Sequence, residues 1–103
     1  MLAKIHTPSV DRLFEAVLGL ESVEECYRFF EDICTIKEVL EMAQRLDTAF
    51  LLDEGKNYQT IAQEVGISTA TISRVNKCLM YGSDGYRLAI DRLRVAEGNN
   101  EDQ

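Results

Sequence analysis

The stretch from Asn57 to Met80 constrains the fold more than any other part of this chain. Between Tyr58 and Val65, the residues Ile61, Ala62 and Val65 recur at helical spacing and define one apolar face. Gly66 follows. Glycine takes the left-handed backbone conformation that ends a helix and turns the chain sharply. Ile67 supplies an apolar plug for the turn, and Ser68 is placed to cap the next helix by accepting an orphan amide hydrogen bond. That next helix, Thr69 to about Met80, turns Ile72, Val75 and Leu79 inward. Thr69, Ala70, Thr71, Ser73 and Arg74 are left facing outward near its start.

Two short helices joined by a tight glycine turn form a helix-turn-helix, whose second helix enters a DNA major groove with its N-terminal residues at the base edges. The chemistry of the outward residues suits that task. Hydroxyls from Ser68, Thr69, Thr71 and Ser73 can meet bases or phosphates, and a methyl from Ala70 or a threonine can touch a thymine methyl. Arg74 and Lys77 can reach phosphates. An ordinary helical hairpin with a glycine turn would share the apolar spacing, so the spacing alone does not separate the two.

The rest of the chain also reads as helix. An arm covers residues 1–9, with Ser9 expected to cap a first helix from Val10 to Leu18 that Gly19 ends. Ser22 and Glu25 form a capping box for a second helix, Val23 to Ile33, and Thr35 and Glu38 form another for a third, Ile36 to about Leu52. Gly55 marks its exit. After the helix-turn-helix, which spans about residues 57–80, Ser83 is expected to cap a last helix from Asp84 to Ala96. Residues 97–103 are polar and are expected to be a disordered tail. The single proline and the absence of strand alternation agree with an all-α domain of about six helices over residues 10–96.

The third helix bears on assembly. From Ile36 to Leu52, 10 of 17 residues are apolar, which is too many for a helix covered on one side. A chain of 103 residues can hardly surround that helix and also bury Tyr27, Phe29, Phe30 and Ile33 of the second. A homodimer sharing one core resolves this, and it would set two recognition helices about 34 Å apart for a palindromic site.

Charge fits such a partner only locally. The net charge is −7, yet residues 1–55 carry 5 Lys/Arg against 12 Asp/Glu while residues 56–103 carry 6 of each. Within 57–80, Arg74 and Lys77 face only Glu64, a net +1. The acid lies away from the proposed DNA face, and each subunit should make few phosphate contacts.

Several functional classes find no support. No 18-residue apolar run spans a membrane, and no apolar leader is apparent at the start, so a cytoplasmic location is expected. Cys26, Cys34 and Cys78 are odd in number and lack metal-ligand spacing, so they should be reduced thiols, with Cys78 the one candidate redox sensor. His6, the only histidine, sits in the arm and should be exposed. Glu24, Glu25, Glu31 and Asp32 read as a solvated helix face. No catalytic residue, metal site or cofactor is expected.

Taken together, Leu51-Leu52, then Ile61-Ala62-Gln63-Glu64-Val65-Gly66 and Ala70-Thr71-Ile72-Ser73-Arg74, resemble the Trp repressor family, in its YerC/YecD-type branch. The resemblance covers about residues 10–96. It implies an intertwined homodimer of all-α, six-helix subunits that regulates transcription in a bacterial cytoplasm by binding double-stranded DNA at an operator. It also implies backbone contacts from Tyr58 and Gln59, and a recognition-helix start at Thr69, Ala70 and Thr71 with Ser73 a turn further on. The family's corepressor pocket falls on Gln44, Arg74, Val75 and Cys78. Only Arg74 matches the family's pattern. Gln44 stands for an arginine, Val75 for a glycine that leaves room for an indole, and Cys78 for a serine. These departures argue against tryptophan and for a different small effector or none. The competing reading is a helical homodimer that binds another regulator through its acidic N-terminal half, without DNA.

Overall fold

The computed structural model describes residues 5–101. Six α-helices account for most of them, and no strand occurs among the described residues. The chain divides into two compact units, residues 1–39 and residues 40–103.

The first unit holds α1 (Pro8–Leu18), α2 (Val23–Ile33) and the first turn of α3 (Ile36–Asp53). The helix α1 begins two residues before the expected Val10. Thr7, not Ser9, is its cap, with the Val10 amide donating to Thr7 Oγ1 at 3.1 Å. Proline explains the shift: Pro8 has a preset φ and no N–H to leave unsatisfied, so it is suited to the first helical position. The expected 1–9 arm is shortened accordingly, and its residues 1–4 lie outside the described residues.

One capping box forms as expected and the other is shifted by a residue. The Glu25 amide donates to Ser22 Oγ at 3.1 Å, but the Glu25 carboxylate accepts from the Glu21 amide, one residue further back than expected. Around α3 the box is reciprocal, with Glu38 N to Thr35 Oγ1 at 3.1 Å and Thr35 N to Glu38 Oε1 at 2.8 Å. The Thr35 amide, and then its hydroxyl, lower the Glu38 carboxyl pKa. Phe29 and Phe30 meet edge to face at 5.4 Å.

Neither α1 nor α2 contains a buried residue. Leu18 is 84% exposed, Ile36 78% and Val23 73%, and Phe14, Tyr27 and Ile33 are each more than half exposed.

The second unit has a small, closed core. Ala49 of α3, Val75 of α5 (Thr69–Tyr81) and Ile90 of α6 (Gly85–Glu101) are buried together, with Phe50, Leu52, Leu79 and Tyr86 packed around them. Thr48 is buried too, and its hydroxyl donates to the Gln44 carbonyl at 2.8 Å, so burial leaves it satisfied. Asp53 closes α3. A carboxylate at a helix C-terminus opposes the helix dipole, and two cations of α6 offset this. Arg87 donates to Asp53 Oδ1 at 2.6 Å, and Arg94 donates to Oδ2 while lying over the Phe50 ring at 5.5 Å. Hydrogen bonds from Arg87, then from Arg94, hold the Asp53 pKa at about 2 instead of 3.8.

The joint between α5 and α6 needs Gly82, since a Cβ there would collide with the Cys78 carbonyl oxygen. The helix α6 opens one residue later than expected, so Asp84 and not Ser83 takes the cap position. Asp84 turns through φ 65°, and the helix opens at Gly85, with the Asp84 carbonyl accepting from Leu88 N at 2.9 Å. At its far end α6 continues past Ala96 to Glu101. The polar composition of residues 97–103 suggested an end, but no proline stops the helix, and it tolerates Gly98 for about 1 kcal/mol. The remaining expected tail, residues 102–103, lies outside the described residues.

Candidate nucleic-acid interface

Asn57 opens the helix-turn-helix. Its side-chain oxygen accepts the Thr60 amide at 2.8 Å and so caps α4 (Tyr58–Ile61). The helix continues into a π-helical turn, Ala62–Gly66, within the stretch expected as one helix to Val65. Gly66 lies at φ 79°, and nothing stands within 4 Å of where its Cβ would be. The glycine is therefore required by its backbone angle alone. Ile67 is half-buried in the turn, as an apolar plug should be.

Ser68 then caps α5, accepting the Thr71 amide at 3.2 Å. Its oxygen also lies 3.0 Å from Thr71 Oγ1. Ile61 and Ile72 are both fully buried, one in each helix of the motif, and α4 packs against α5. These contacts fix the rotation of α5 about its axis. With Ile72 and Val75 inward, the positions 70, 73, 74 and 77 share the opposite face at i, i+3, i+4 and i+7.

Ser68, Thr69, Ala70, Ser73, Arg74 and Lys77 are all exposed, as are Tyr58 and Gln59 at the start of α4. Thr71 is half-buried, with its hydroxyl turned to Ser68. Among the described residues neither Arg74 nor Lys77 has an ion-pair partner. The outward face of α5 thus offers two free cations, short hydroxyls and a methyl, with no carboxylate on the helix itself.

The four residues expected around an effector differ in their surroundings. Val75 is 1% exposed and occupies the core, filling the room that a glycine would leave. Arg74 and Cys78 are exposed on α5. Gln44 alone borders a depression, an open one of about 340 Å³ lined also by Asp47, Phe50, Leu51, Glu64 and Val65. Gln44 donates from Nε2 to the Val65 carbonyl at 3.4 Å, the long end of the hydrogen-bond range, and so joins α3 to the end of the π turn. The depression carries two carboxylates and no cation. The 44, 47, 51 spacing on α3 was readable as one helix face, but its facing partners Glu64 and Val65 were not.

No set of three His, Cys, Asp or Glu side chains is placed to hold a metal ion among the described residues. All three cysteines are free, and Cys26 and Cys78 are exposed. His6 is exposed. No described helix is long and apolar enough to cross a membrane.

A model of the family described as Trp repressor protein matches residues 8–94. The uncharacterized protein YerC of Bacillus subtilis (strain 168) is 51% identical over 94 residues, which is 91% of this chain and 90% of that protein. Two crystal structures share the architecture. A TrpR-like protein from Eubacterium eligens superposes with a TM-score of 0.86 at 49% identity, covering 88% of this chain and 94% of its own. A Staphylococcus aureus protein described as a candidate Trp repressor gives 0.88 at 46%, covering 91% and 94%.

Proposed function

The chain belongs to the Trp repressor family, and from that premise we propose that it is a cytoplasmic transcriptional repressor that binds a palindromic operator as a homodimer. The observation that carries this reading is the outward face of α5. Ile61 and Ile72 hold the helix so that Thr69, Ala70, Ser73, Arg74 and Lys77 all meet solvent, with both cations unpaired among the described residues. Tyr58 and Gln59, at the exposed start of α4, serve the DNA backbone beside them.

The homodimer is supported by the bare apolar faces of the first unit. Helices that bury no residue within their own chain contribute little to its stability unless a second chain covers them. The apolar surplus of α3 points the same way, since Ile36 and Leu40 remain exposed.

Tryptophan is not the effector in this reading. Val75 sits in the space an indole would need, and the nearby depression presents Asp47 and Glu64 to any ligand carboxylate. The repressor either answers to a different small molecule or holds its recognition helices in register unaided.

The test is selection from a random double-stranded DNA library with the purified protein at two salt concentrations. Enrichment of a palindrome with half-sites one turn apart is the expected result. No enrichment even at low salt, with or without small molecules from a cell extract, would overturn DNA binding. It would favour a protein-binding module acting through the acidic residues 1–55.

A further inference from the structure

The first turn of α5 is poor in the groups that usually discriminate bases. Bidentate reading of guanine or adenine needs a guanidinium, an ammonium or a side-chain amide at the groove floor. Thr69, Ala70, Thr71 and Ser73 provide none, and the guanidinium of Arg74 beyond them is assigned to a phosphate in the reading above. Asn76, the only amide in α5, is half-buried and lies two turns in. Hydroxyls accept and donate to any base, so they add affinity with little discrimination.

The Thr71 hydroxyl, and that of Ser68 just before the helix, are also already engaged. Ser68 Oγ accepts the Thr71 amide at 3.2 Å and lies 3.0 Å from Thr71 Oγ1. Turning Ser68 Oγ to a base would break the cap that starts the recognition helix, at a cost of about 1 kcal/mol, and turning Thr71 Oγ1 would give up its contact with Ser68. Thr71 is half-buried, and with its Oγ1 beside Ser68 Oγ, its methyl is the other group it has to offer a base. Beside it, Ala70 is exposed and carries nothing but a methyl.

We propose that this protein reads its operator chiefly through thymine C5-methyl groups, which Ala70 and the Thr71 methyl contact in the major groove. The inference rests on the DNA-binding reading above and goes further, because it names the feature of the DNA that is recognised. Each half-site should then carry thymine under the first turn of α5, and cytosine or uracil, which lack the methyl, should be poor replacements.

The experiment compares the selected operator with the same duplex carrying deoxyuridine in place of thymine in both half-sites. Affinity is measured by fluorescence anisotropy at fixed salt. Burying one methyl is worth about fourfold, so one lost contact in each half-site weakens binding by about 15-fold. Two variants isolate the cause. Thr71→Ser keeps the hydroxyl and the cap but removes the methyl, and Ala70→Gly removes the other methyl. In each, the ratio of thymine to uracil affinity should fall by several-fold. That ratio is taken within one protein, so any loss of helix stability cancels. Equal binding of both duplexes by the parent, or an undiminished ratio in both variants, overturns the inference while DNA binding stands. Failure to enrich any operator overturns the DNA-binding reading, and this inference with it.

Discussion

Lys77→Ala should flatten the salt dependence of operator binding by an amount that the structure sets. Lys77 and Arg74 are exposed, three residues apart on the outward face of α5, and neither has an ion-pair partner among the described residues. They are the only basic side chains between Asn57 and Met80. If each neutralises one phosphate, a dimer neutralises about four, and the slope of log affinity against log salt is about −3.6. Raising salt from about 50 to 200 mM then weakens binding by about 150-fold. With Lys77 removed from both subunits, the slope falls to about −1.8 and the same change in salt costs only about 12-fold. Fluorescence anisotropy titrations at four salt concentrations give both slopes. An unchanged slope would mean that Lys77 does not face a phosphate and that the rotation assigned to α5 is wrong. A parent slope far steeper than about −4 would mean that cations outside the motif take part.

Further outcomes follow from other parts of the structure. Gly66→Ala should cost about 1–2 kcal/mol in chemical denaturation, because φ 79° is unfavourable for any side chain even where space is open; unaltered stability would mean the turn relaxes freely. For Asp53, whose folded pKa of about 2 lies below its usual 3.8, the ion-bridge stabilisation is complete above 3.8 and is lost as pH falls through about 2. The melting-temperature gap between the parent and Asp53→Asn should therefore be widest near neutrality and close on acidification, and a gap that survives at about pH 2 would contradict this bridge. Millimolar tryptophan should leave the melting temperature unmoved, whereas a saturable rise would show that Val75 yields to an indole.

What the sequence revealed was mostly local. Ser22 with Glu25, and Thr35 with Glu38, mark the starts of α2 and α3 because a capping box acts over four residues. Gly66 and Ser68 similarly mark the turn, one by backbone freedom and the other by a hydroxyl aimed at the Thr71 amide. One local signal was misplaced. Ser9 was expected to cap α1, but Pro8 suits the first helical position and leaves the cap to Thr7. Pairings over long separations were not legible. Asp53 meets Arg87 and Arg94 across 34 and 41 residues, and no periodicity in either helix names its partner. Burial at the positions proposed for an effector was likewise not legible. A family resemblance grouped Gln44, Arg74, Val75 and Cys78, but the burial of Val75 depends on how α3, α5 and α6 close around it.

The exposed apolar faces of α1 and α2 carry a consequence for control. If the proposed homodimer covers these faces, gene dosage is coupled to two steps at once: the survival of the newly made chain and the formation of a species able to grip both half-sites. Below the dimer dissociation constant, operator occupancy rises with the square of chain concentration. The proposed switch would then have a threshold built from abundance alone, and dilution of the protein through growth would release the operator with no inducer required.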